Sequence, residues 1–107
     1  MGKIGYKRID VRSIDSFKRH GYDYKKVAMT DYYVVWALTV YDDKTNTLTR
    51  YGYEVWKPNW VRMDDGTLIW RKLTDEEFKD MGWYCPTAAD KDIRIQKILQ
   101  EYLQNIQ

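Results

Sequence analysis

An α+β fold is the class this sequence predicts: a small antiparallel sheet of two hairpins packed against a C-terminal amphipathic helix, with two short helices besides. Three observations predict it. Two runs rich in β-branched and aromatic residues, Tyr32 to Tyr41 and Thr47 to Lys57, flank a short polar turn. The turn Asp64-Asp65-Gly66 separates two further short apolar runs, and its glycine tolerates the positive φ that tight hairpins need. The C-terminal stretch repeats apolar side chains at helical spacing.

Taken in chain order, residues 3–12 fit a ragged strand or an ordered arm, through Ile4, Tyr6, Ile9 and Val11. Ser13 to Gly21 predicts a short helix: Ser13 suits an N-cap, Lys18, Arg19 and His20 suit the last turn, and Gly21 suits the residue just past the end. Tyr32 to Tyr41 contains no Gly or Pro and is apolar on both faces, which predicts a central strand. A turn at Asp42 to Asn46 leads into the second strand, which Pro58 stops because it has no ladder donor. Trp60 to Met63 and Thr67 to Leu73 form the second hairpin. Thr74 to Met81 predicts a helix opened by a Thr74/Glu77 capping box and ended by Gly82. After Pro86, Thr87 can cap a last helix to about Ile106, with Ile95, Ile98, Leu99, Tyr102, Leu103 and Ile106 on one stripe.

Strand alternation then sorts side chains. With an even-numbered loop, Val34, Trp36, Leu38 and Val40 should share a face with Thr49, Tyr51, Tyr53 and Val55. The last helix is expected to cover that face. The other face should carry Tyr33, Val35, Ala37, Thr39 and Tyr41 with Leu48, Arg50, Gly52, Glu54 and Trp56. From it, Tyr33, Tyr41, Arg50 and Trp56 are expected to form an open aromatic and basic binding surface.

The chain has 107 residues, two prolines and no repeat or low-complexity run, which predicts one domain over 1–107. One cysteine, Cys85, allows no internal disulfide, and no apolar run is long enough to span a bilayer as a helix. A cytoplasmic protein with no membrane partner is the expectation. The net charge is +2, unevenly placed. Residues 1–26 hold eight basic against three acidic side chains, and the rest hold ten against thirteen. Lys7, Arg8, Lys25 and Lys26 are therefore a candidate basic binding region, and Asp75, Glu76, Glu77 and Asp80 a candidate acidic docking segment.

Catalytic and metal constellations are not expected. One His and one Cys cannot make a conventional zinc site, and the Asp pairs at 42–43 and 64–65 lack the spacing of a calcium loop. His20 and Cys85 are conceivable as a nucleophile pair, but nothing in the sequence brings them together. Asp43, Glu54 and Lys57 suggest a metal nuclease, yet alternation sends Glu54 and Lys57 to opposite faces. No cofactor is implied.

Five tryptophans and ten tyrosines in so short a chain predict exposed rings, and Tyr, Trp and Arg dominate interface hot spots. The function expected is a small non-catalytic binding protein, an inhibitor or adaptor acting on a protein partner, which could itself process nucleic acid. In style it is similar to compact, charge-segregated bacteriophage and mobile-element proteins, including inhibitors of host defence. Two alternatives stand beside it. One is a nucleic-acid-binding module whose rings stack on bases while cations meet phosphates. The other is a small metal-independent RNase-type toxin using Lys, Arg, Tyr and His20 as acid, base and phosphate clamp. A homo-oligomer that covers its rings with its own copies is also compatible with the composition.

Overall fold

The computed structural model describes residues 9–106. It is α+β, with a five-stranded antiparallel sheet, a separate two-stranded sheet and two α-helices. A 3-10 turn over Val11–Ser13 precedes β1 (Ser16–Arg19), β2 (Tyr22–Met29), β3 (Val34–Asp42) and β4 (Thr47–Trp56). Strands β5 (Trp60–Arg62) and β6 (Leu68–Trp70) form the short hairpin. Helix α1 (Asp75–Met81), strand β7 (Gly82–Cys85) and helix α2 (Ala88–Ile106) complete the chain. The large sheet runs in the order β1-β2-β3-β4-β7.

The helix expected over Ser13 to Gly21 is a strand and a turn instead. β1 pairs with β2 from Ser16↔Lys25 to Arg19↔Tyr22. His20 and Gly21 link the two strands, with φ of 55° and 82°. Positive φ at both linking residues is the mark of a type I′ hairpin, whose twist matches its strands. A glycine that suits the end of a helix suits this turn equally well. β2 itself is hidden in the sequence because a register shift between Lys26 and Ala28 breaks its alternation and leaves Val27 exposed.

A second irregularity rearranges the central hairpin. Leu38 pairs with Gly52, whereas Thr39 pairs with Arg50, so Tyr51 is an extra residue in β4. From Gly52 onward the parity of β4 is reversed relative to a regular ladder. Val34, Trp36 and Leu38 therefore share their face with Trp56, Glu54 and Gly52. Val35 and Ala37 share theirs with Val55 and Tyr53. The expected grouping holds only on the turn side of the bulge, where Thr49 faces Val40 and Leu48 and Arg50 lie beside Tyr41 and Thr39.

Each face carries its own core. On the first, Trp36 and Trp56 pack with Val34, Leu38 and Tyr24 beneath Val11, Trp70 and Leu73, with Phe78 and Met81 of α1 at the margin. On the second, Ile98 and Ile95 of α2 pack onto Val35, Val55 and Cys85. The last helix thus covers the face opposite to the one expected. The two indoles already fill the first face, and the 3-10 turn, the small hairpin and α1 close over them.

The helix ends read from the sequence are present. The Thr74 hydroxyl accepts the Glu77 amide at 3.1 Å while the Glu77 carboxylate accepts the Thr74 amide at 2.9 Å. Thr87 accepts the Asp90 amide at the start of α2. Among the described residues no helix is long and apolar enough to cross a membrane.

Candidate interaction surface

Helix α2 packs against β4 and β7. The half of the second face made by β1, β2 and the far end of β3 and β4 keeps exposed side chains. A shallow groove of about 350 Å³ lies there, lined by residues that include Ser16, Lys18, Asp23, Lys25, Thr39 and Leu48. Beyond it the β3–β4 hairpin continues as an arm in which every residue from Tyr41 to Tyr51 is exposed. Tyr41 and Leu48 are cross-strand partners near its end, 48% and 64% exposed.

Of the four residues expected to form the aromatic surface, Tyr41 and Arg50 belong to this region. Arg50 is held in place: its Nη1 donates to the Tyr53 hydroxyl at 2.6 Å and its guanidinium lies 5.3 Å from that ring. Lys91 Nζ approaches the Tyr53 ring at 5.4 Å. Tyr33 faces the same side but stands at the other end of β3, about 26 Å from Tyr41 at the rise of an extended strand. It packs against the core beneath α2. Trp56 is not part of this surface. It is 1% exposed, on the opposite face, because the Tyr51 bulge turns it inward.

The candidate basic residues separate in the same way. Lys25 is exposed on the groove. Lys26 is part of the scaffold: its ammonium donates to the carbonyls of Val11 at 2.7 Å and Arg12 at 3.3 Å and lies 5.8 Å from the Trp36 ring. Lys7 and Arg8 lie outside the described residues. In the acidic segment, Asp75 receives Arg19 and His20, Glu76 receives Lys79, and Glu77 serves the capping box and Arg71. Three of its four carboxylates therefore have partners within the chain, and Asp80 is exposed.

A site that the sequence did not reveal lies at the base of the arm on the first face. Tyr22, Tyr51 and Tyr84 form a row with successive ring centroids 4.5 Å and 5.1 Å apart. Tyr84 donates its hydroxyl to the Tyr51 carbonyl at 2.7 Å. Glu54 lies beside them, opposite Tyr84 in the ladder, and accepts the Tyr24 hydroxyl at 3.0 Å and the Trp56 indole N–H at 2.9 Å. Burial pushes the Glu54 carboxyl above its ordinary value, against the pull of those two donors. Burial, then the Glu54 charge, holds the Tyr24 phenol far above the usual tyrosine range. The available signal was Gly52, since a glycine inside a strand often marks a bulge or a close approach.

His20 and Cys85 are not brought together. Cys85 is buried in the α2 core with its thiol pushed up by burial, while His20 is exposed and bonds Asp75 at 3.0 Å. Among the described residues no three His, Cys, Asp or Glu side chains converge in a way that could hold a metal ion.

Comparisons with protein-family models, with curated proteins and with solved structures find no match. The functional reading therefore rests on the geometry of this chain.

Proposed function

We propose that this chain is a small non-catalytic protein-binding module, an inhibitor or adaptor, that meets its partner through the β3–β4 arm and the adjoining open half of the sheet. One observation carries the reading: the arm extends the ladder past both cores and holds Tyr41 and Leu48 side by side in water. Exposed apolar area of this kind is stabilised when a partner covers it, at roughly 25 cal/mol per Å². Tyr and Arg beside a leucine also form the mixed composition of an interface centre, though Leu itself is seldom a hot spot.

Charge favours protein over nucleic acid. Lys18, Lys25, Lys44 and Arg50 stand against Asp23, Asp42 and Asp43, a balance of four to three across the arm and groove. A phosphate backbone calls for a clear positive excess. The test is capture from a nuclease-treated lysate by wild type and by a Tyr41→Ser/Leu48→Ser variant. Wild type should retain one protein in near-stoichiometric amount, and the variant should lose it while keeping its melting temperature. Equal retention by both forms overturns the reading. So does retention of nucleic acid alone, with affinity that falls steeply as salt is added.

A further inference from the structure

The notch at the base of the arm has a chemistry of its own. Glu54 forms its floor, half-buried, and among the described residues it makes no ion pair. A carboxylate offers about four lone-pair sites, and Tyr24 and Trp56 occupy two of them. The wall is the row of Tyr22, Tyr51 and Tyr84, of which Tyr51 is 47% and Tyr84 39% exposed. Arg19, whose charge acts on Glu54, is already committed: it donates to the Leu73 carbonyl at 2.6 Å and to Asp75 at 2.8 Å. Arg19 and His20 are thus both turned to Asp75. The half-buried Glu54 carboxylate is left to be matched by a cation from outside the chain.

We infer that the notch receives an arginine side chain from the protein partner, with its aliphatic stem along the tyrosine row and its guanidinium on Glu54. The inference rests on the protein-binding reading above and names what the partner brings. Arginine fits better than lysine on two grounds. Its planar fork can use both carboxylate oxygens at once, and its flat guanidinium stacks on aromatic rings. Its stem supplies apolar contact along the tyrosine rings while the charged end reaches the floor. Tyr51 belongs both to the row and to the root of the arm, but the row lies on the face opposite the Tyr41–Leu48 pair, so the arginine comes from a part of the partner that reaches around the base of the arm.

The test is an NMR titration with the peptide Gly-Arg-Gly against its citrulline counterpart, which keeps the shape and loses the charge. The arginine peptide should shift the Tyr22, Tyr51 and Tyr84 ring signals and the Glu54 carboxyl signal to saturation. The citrulline peptide should not. Glu54→Gln should weaken binding about tenfold, the scale of one lost hydrogen bond to a charged group. If that variant does not fold, Tyr51→Ala serves, since its ring is exposed, and it should weaken binding several-fold. No shift with arginine, equal shifts with citrulline, or unchanged affinity in the folded variant overturns the inference. The two readings fail separately: the peptide can fail while the arm variant still loses its partner, and the reverse outcome removes the arm alone.

Discussion

Trp56 was legible in the sequence as an important ring, and its role was not. Its indole lies 5.2 Å from that of Trp36 and 6.0 Å from the ring of Phe17. Nothing of the size of tryptophan can leave a closed face without a large cavity. Trp56→Ala should therefore cost about 3–5 kcal/mol in a urea melt. A loss below about 1 kcal/mol would return this ring to the surface. Asp10 is a second case in which the partner decides the role. Burial raises its carboxyl, but the Arg12 side chain, the Trp70 amide and the Arg12 amide donate to it and hold it at about 2. The folded state then binds the proton less readily than the unfolded chain. Its contribution of about 1–2 kcal/mol is present above pH 4 and is lost as the pH falls from about 4 to 2. Asp10→Asn should flatten the dependence of stability on pH within that window and lower stability at neutral pH. Glu54 works in the opposite sense: its raised carboxyl adds stability in acid that is lost as the pH rises through its folded value.

The elements whose signals were local came through the sequence intact. The Thr74 capping box, the Gly66 turn and the helical period of α2 each depend on residues a few positions apart, although of the α2 stripe Ile95 and Ile98 enter a core while Leu103 stays 61% exposed. Two of the departures share one cause, which is that a glycine does not say which structure it serves. Gly21 looked like a helix end and is half of a type I′ turn. Gly52 looked like an ordinary strand residue and follows the bulge that reverses β4. One extra residue there moved Trp56 indoors and brought Tyr51 beside Tyr84, so it decided which rings stay exposed. The tight fit at Gly52 makes the bulge testable. A Cβ there would lie 2.7 Å from the Tyr84 hydroxyl oxygen and 2.8 Å from its ring, and the backbone φ of 155° disfavours a side chain in any case. Gly52→Ala should cost about 1–3 kcal/mol. Adding Tyr84→Ala should recover the steric part and leave the backbone part. Full additivity of the two losses in a double-mutant cycle would mean that Tyr84 does not lie over Gly52.

At the scale of the whole molecule, one sheet separates two small cores, and its longest hairpin projects past both. This arrangement could not be read from the chain, because the β1–β2 hairpin that widens the sheet and the β7 strand that closes its other edge are each short and irregular in pattern. It implies that the stability of the fold and the binding proposed for the arm are separable. The ladder pairs Tyr41↔Leu48 and Asp42↔Thr47 lie outside the packed clusters. Deleting those four residues while keeping the 43–46 loop shortens the arm by two pairs and preserves the parity of everything below it. Exposed residues away from caps, cores and strained turns usually shift stability by no more than about 0.5 kcal/mol each. The shortened chain should therefore keep its circular dichroism spectrum and lose at most about 2 kcal/mol in a chemical melt, while partner capture disappears. A loss of several kcal/mol would place the arm within the folding unit. Retained capture by the shortened chain would move the interface off the arm and onto the groove and notch at its base.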